Sequence, residues 1–514
     1  MSGSSELLKS KKAAVIVSYI MLICNSLSSL LLTPLYLRFL GLDKYGLYQM
    51  VYSAAHYILI LDLGISTTMV KYISLYRIQK DKAAEENFAA HCLAIVAVII
   101  VVVVIIGLIL NSYLTTIYRT ISAEDAPVAH AVFLILVATT ALTIVEHYFQ
   151  GVVIAHEHFL VQKVVALCKI VGKVLFTVLF LYLHRGLTMI ASVELILTLC
   201  SLAFLLAYGF GRLHFRVKFR RFDRNLLLGV FSFMLAIFLQ SIVAYVNNTV
   251  DKTILGIMVS PAAVAVYAVA MSFITLFNSL PSAFTGVYLP QATRLINQKA
   301  DATALTDFII RPGRYQFLIC GTIIAVFLLF GREFIALWSG ADTDAAWIIA
   351  LIIMVPNMIP LIEAVIEPVL DALGKRLYRS VVLCIMSAVN VLLTVHLVKR
   401  YGMLGAPIGT ALSYLLGYGL VMNLYYQRVI KIQVLRMFGN IVSRTWICIL
   451  FPALLCIPLN RLLPMPSWGG LLLKTACFLA LLTAAMLLFG FRSSEKEDLR
   501  SVLLRLHVLK KKDK

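Results

Sequence analysis

Apolar residues run through this chain in fourteen blocks of about twenty, joined by short polar connections. The blocks lie at 13–33, 46–70, 88–112, 127–149, 161–183, 187–209, 225–247, 261–289, 313–337, 345–370, 377–398, 405–427, 441–463 and 469–491. As a helix rising 1.5 Å per residue, about 20 residues cross a hydrocarbon core of about 30 Å. Hydrocarbon offers the backbone no partners, so each block must close its own hydrogen bonds. The pattern therefore predicts an all-α integral membrane protein with about 14 transmembrane helices. No connection is long enough to fold alone. The first block leads into Pro34-Leu35-Tyr36 with no small-x-small cleavage site, and is read as a span rather than a removable signal.

Composition agrees: 61% of the 514 residues are hydrophobic and the mean hydropathy is +0.93. The net charge of +20 would suggest nucleic acid for a soluble protein. Its distribution suggests a membrane instead. With the N-terminus inside and span-end residues assigned to the nearer side, 33 of the 45 Lys and Arg fall on the cytoplasmic side, 9 outside and 3 within spans. That is the positive-inside asymmetry. It predicts both termini in the cytoplasm and no nucleic-acid partner. The connection 210–224 alone carries Arg212, Arg216, Lys218, Arg220, Arg221 and Arg224. All nine Cys lie within the blocks without a CxxC spacing, so they read as small buried hydrophobes and indicate no metal site.

A weak internal repeat organises the blocks. Residues 45–52 (YGLYQMVY) open the second span and 264–271 (VAVYAVAM) the eighth, so Tyr48 and Tyr267 correspond. This suggests six-span lobes at 1–222 and 223–440, two additional spans at 441–491, and a basic amphipathic cytoplasmic tail at 492–514. Transporters are often built from such repeats.

Ionisable groups inside a membrane are costly, so each is a functional candidate. Lys169 and Lys173 lie four apart on one face of the fifth span. From the cytoplasmic end they sit about 10 and 17 Å deep at about 1.5 Å per residue. Two readings stand: a cationic site for a phosphate, with Lys252 available from the other lobe, or structural pairs with Glu146 or Glu194. Candidate residues for cation coupling or gating are Asp62, Glu146, Glu194, Asp251, Glu363 and Glu367. If the seventh span continues to about 257, Asp251-Lys252 would face an aqueous cavity. Pro356 and Pro360 precede Glu363 and permit a kink. His56, His91, His130 and His396 share no spacing and read as interfacial or packed. No Walker A loop, HExxH or GxSxG occurs, so neither catalysis nor ATP hydrolysis by that loop is expected. No cofactor is expected; the small ions to consider are H+ and Na+.

The stretch PLYLRFLGLDKYGLYQMVYSAAHYILILDLGISTTMVKYISLY (34–76), with NNTVDKTILGIMVSPAAVAVYAVA (247–270), resembles the Wzx-type oligosaccharide flippases of the multidrug/oligosaccharidyl-lipid/polysaccharide exporter superfamily. The resemblance covers most of the chain. It implies two six-helix lobes around a central cavity that opens alternately inward and outward. It implies as substrate an undecaprenyl-pyrophosphate-linked oligosaccharide, with membrane lipids as further contacts and a polysaccharide polymerase and glycosyltransferases as potential partners. The arginine-rich first span of the lipid II flippases is replaced here by Asn25, Ser26 and Ser28, which argues against lipid II as cargo.

Two alternatives remain at this level. A MATE-like exporter of small molecules would need a smaller site, usually acidic for cationic drugs. An integral-membrane polymerase or glycosyltransferase would need a sizeable outer loop with catalytic residues, whereas every outer connection here is short.

Overall fold

The protein is described by a computed structural model over residues 2–184, 186–285, 288–298, 301–462 and 467–490. The predicted tail 492–514 lies outside the described residues. Those residues form helices and no strand. In chain order the helices are α1 Ser2–Leu40, α2 Leu42–Ile58, α3 Ile65–Ile78, α4 Lys82–Ser112, α5 Leu114–Ile117, α6 Ala126–Ala155, α7 Phe159–Tyr182, α8 Gly186–Ala207, α9 Arg224–Met258 and α10 Pro261–Thr285. They continue with α11 Leu289–Asn297, α12 Ala302–Ser339, α13 Ala345–Ile362, α14 Ile366–Ala372, α15 Arg376–Tyr401, α16 Gly405–Tyr414, α17 Asn423–Tyr425, α18 Val434–Val442, α19 Thr445–Leu462 and α20 Trp468–Ala485.

Twelve described stretches are long and apolar enough to cross a membrane. One of them, Tyr378–Ile430, is 53 residues long and turns back at Gly402, where φ is +57°. With that stretch counted as two and the 35-residue α9 added, the fourteen predicted spans are accounted for. Helix starts follow local chemistry. The carboxylates of Asp81, Asp223 and Asp301 each accept from the backbone N–H three residues on, satisfying one of the orphan donors of α4, α9 and α12.

The structure departs from the pattern where backbone geometry intervenes. The second block is not one straight helix. After α2 comes a 3-10 turn, Leu59–Asp62, and then Leu63 and Gly64 adopt left-handed φ of 52° and 67°. A Cβ on Gly64 would lie 2.4 Å from Cγ2 of Ile237, so both conformation and space call for glycine there. The ninth block begins earlier than its hydropathy suggests, because α12 carries Pro312 inside it and extends back to the Asp301 cap. Before the thirteenth span, α18 buries Val434, Met437 and Ile441 on one face.

Contacts divide the chain into two compact units, Met1–Ser272 with Leu383–Gly409, and Phe273–Val382 with Thr410–Lys514. The expected 222/223 boundary falls inside the first unit, which keeps α9 with α1–α8. Within that unit α6 packs against α2, α3, α4 and α8, α7 packs on α1, and α9 on α2. Small residues allow the closest approaches. A Cβ on Gly405 would lie 2.3 Å from the Leu397 carbonyl carbon, and one on Gly409 2.6 Å from Thr394 Oγ1. These two glycines form a GxxxG spacing, the arrangement that brings membrane helices together. In the second unit α12 packs against α13, α18 and α19, and α19 against α20.

Candidate functional site

Each candidate lysine of α7 meets a carboxylate. Lys169 Nζ donates to Glu146 Oε2 of α6 at 2.7 Å, and Glu146 Oε1 accepts from Gln150 at 3.1 Å. One turn further along, Lys173 Nζ donates to Glu194 Oε2 of α8 at 3.3 Å. Of the alternatives open in the sequence, the structure thus contains both structural pairs. The pairs are not equally enclosed. The Glu146 side chain is 3% exposed, whereas Lys169 and Lys173 are 27% and 36% exposed. The Lys173 side chain is therefore both paired and partly exposed.

The surroundings of Lys173 are aromatic. Its Nζ lies 5.8 Å from the Tyr52 ring centroid. Tyr48, Tyr52 and His56 recur every four residues on α2 and so share one face. Tyr52 stacks on His56 with centroids 5.1 Å apart, and His56 meets the edge of Tyr245 of α9 at 5.4 Å. Tyr48 continues the row to Tyr36 of α1 at 6.0 Å. This stripe is legible in the sequence as a four-residue period. Sequence reasoning missed it by treating His56 as merely interfacial or packed.

Lys252, expected from the other lobe, lies in the same compact unit as Lys173 because α9 packs on α2. Its Nζ donates to Gln49 Oε1 at 3.1 Å, and the Gln49 amide donates to the Tyr45 hydroxyl at 3.1 Å. The seventh span does continue, as α9, to Met258. Asp251 is buried, accepting from the Tyr267 hydroxyl at 2.5 Å and from Thr394 Oγ1 at 3.3 Å. Asp62, held in the 3-10 turn after α2, lies 3.1 Å from Nδ1 of His147. His147 was not singled out from the sequence, although it directly follows Glu146.

The last two candidates belong to the second unit. Glu367 of α14 is paired with Arg379 of α15 at 2.5 Å. Glu363, in the 3-10 turn Glu363–Val365 that follows Pro356 and Pro360, is 3% exposed and accepts from Asn423 Nδ2 at 2.7 Å. A further enclosed pair, Lys474–Glu333 at 2.8 Å, carries no sequence signal beyond a single lysine in an apolar block. Among the described residues no group of three or more His, Cys, Asp or Glu could hold a metal ion.

The chain is similar to a putative O-antigen transporter of Shigella flexneri, 19% identical over 392 residues that cover 76% of this chain and 91% of that protein. Its fold is similar to a lipid II flippase, MurJ, in an inward closed conformation, with TM-score 0.69 and 12% identity over 92% of this chain and 97% of the other. It is also similar to an inward-facing multidrug resistance MATE family transporter, with TM-score 0.63 and 14% identity over 84% and 99% of the two chains. The expected all-α membrane fold is therefore present, and it is similar to that of a flippase and of a drug exporter alike. The profile of the polysaccharide biosynthesis protein family matches residues 12–296. With more than half of its length matched, the chain belongs to the polysaccharide biosynthesis protein family.

Proposed function

We propose that this protein flips undecaprenyl-pyrophosphate-linked oligosaccharide from the inner to the outer leaflet of the bacterial cytoplasmic membrane by alternating access. The observation that carries the reading is the partly exposed Lys173–Glu194 pair beside the Tyr52–His56–Tyr245 row. Sugars and pyrophosphate lose their hydration in hydrocarbon at high cost. A wet, cationic, aromatic surface replaces part of it, since ammonium groups suit phosphate and ring faces suit the apolar faces of sugars. Two phosphates carry about two negative charges, more than one lysine neutralises, so Lys169 and Lys252 are assigned with Lys173 to the pyrophosphate. The resting carboxylate partners then have a role: Glu146 and Glu194 keep the lysines compensated when no cargo is bound and are displaced by phosphate when it arrives. No covalent step is required. Asp62, Asp251 and Glu367 remain candidates for H+ or Na+ coupling or for gating.

The test is surface polysaccharide in a deletion strain complemented at matched protein levels. Lys173→Ala should abolish export while the protein stays in the membrane. Lys173→Arg should retain part of it, keeping the charge with altered geometry. Lys173→Glu should be worse than alanine. Wild-type export from Lys173→Ala would return this lysine to a purely structural role. Inner-leaflet accumulation of lipid-linked repeat units in the deletion strain separates flipping from the MATE-like alternative.

A further inference from the structure

The second unit contains a buried acid whose hydrogen bonding is incomplete in a particular way. Pro356 and Pro360 remove two N–H donors from α13, and the chain turns through Glu363–Val365 before α14. Gln316 of α12, with its amide nitrogen turned toward them, reaches the carbonyls of Leu361 at 2.7 Å and Ile362 at 3.0 Å. Opposite the turn, Leu415–Met422 is wound as a π-helix, and Asn423 follows it. Asn423 Nδ2 donates to Glu363 Oε1 at 2.7 Å and to the Tyr418 carbonyl at 2.9 Å. Both amide hydrogens are thereby used, and the nitrogen end of the side chain is fixed. Glu363 Oε2 and Asn423 Oδ1 are left over. Both are buried, and no protein donor reaches either.

The facing charges do not resolve this. Arg379 of α15 is held by Glu367 of α14 at 2.5 Å. Arg314 of α12 donates to the Gly490 carbonyl at 3.0 Å. Among the described residues, Tyr418 and Tyr426, on the π-helical segments, also lie near Glu363. An ionised carboxylate 3% exposed with a single amide donor is a costly arrangement, and two orphaned acceptors add to the cost. One proton removes all three defects. It neutralises the acid and supplies the donor that both oxygens lack.

We propose that Glu363 and Asn423 form a proton-binding site in which the acid is protonated at rest. Oε2–H donates to Asn423 Oδ1 while Oε1 accepts from Nδ2, giving a cyclic acid–amide pair. Release passes the proton from Oε2 to water and leaves the electron pair on the carboxylate. The resulting charge draws on Arg379, whose other partner is Glu367, so loss of the proton loosens the turn between α13 and α14 and its contact with the π-helix. The assignment of this proton to driving transport rests on the flippase reading. The binding of the proton does not.

Infrared difference spectroscopy on the full-length protein in lipid reads the proton directly. At neutral pH the wild type should show a protonated-carboxyl C=O band that vanishes at alkaline pH and is missing from Glu363→Gln. Asn423→Leu should move that band to higher frequency, because the C=O loses its donor. This variant keeps the acid and serves if Glu363→Gln fails to fold. Identical neutral-pH spectra for wild type and Glu363→Gln, or an unmoved band in Asn423→Leu, would overturn the site. Because no cargo is involved, such a failure is distinct from failure of the export assay.

Discussion

Within the Lys169–Glu146 pair the two side chains are unequally enclosed, so their removal should not be equivalent. Lys169→Ala leaves Glu146, almost fully enclosed, without a cation, and should cost about 3 kcal/mol, toward the lower end for breaking a buried pair. Glu146→Gln leaves a partly exposed lysine, and should cost about 1 kcal/mol. Thermal unfolding of the purified variants checks the order, and equal losses would contradict it. Much of this was legible from spacing: lysines four apart in an apolar block, with carboxylates in neighbouring blocks. Choosing between anion site and ion pair was not, since it depends on which helices become neighbours. Asn423 and Gln49 gave no signal, because a polar amide in an apolar block names no partner.

Backbone geometry decides the element scale. The Asp62-Leu63-Gly64 break splits a block that hydropathy reads as one span, and its trace in the sequence is a single glycine. Gly64→Ala should destabilise by about 2 kcal/mol or more, combining left-handed strain with the Ile237 clash. The penalty should shrink in an Ile237→Ala background, measured as a double-mutant cycle. A second effect lies at the junction of α6 and α7. Burial holds the His156 imidazole below its ordinary value of 6.5, with Arg77 adding to the depression and the Val152 carbonyl opposing it. The native state therefore binds fewer protons than the unfolded chain. Stability should fall as pH drops through about 6.5 and level off below the lower folded value. His156→Asn should flatten that part of the pH–stability curve.

For the whole molecule, the count of crossings was readable from hydropathy, because about twenty apolar residues have one way to sit in a bilayer. The partition into compact units was not, since a repeat in sequence need not mark a boundary in contacts. Orientation is predicted by charge alone. Reporter fusions at Arg216 should be cytoplasmic, and those at Ala123 and Thr343 external. An external signal at Arg216 would invert every later crossing.

The one-for-one matching of Lys169 and Lys173 with Glu146 and Glu194 has an electrical consequence for the proposed function. These four groups sum to zero when no cargo is bound, so on that reading the empty protein resets without moving net charge through them. On the proposed function the loaded stroke differs, because a pyrophosphate cargo brings about two further negative charges outward. A membrane potential negative inside favours that movement by about 2.3 kcal/mol per charge per 100 mV. Voltage should therefore accelerate the loaded half-cycle through these groups, and any voltage dependence of the return belongs to a coupling cation rather than to them. A flipping current in planar bilayers should appear with cargo and be absent without it.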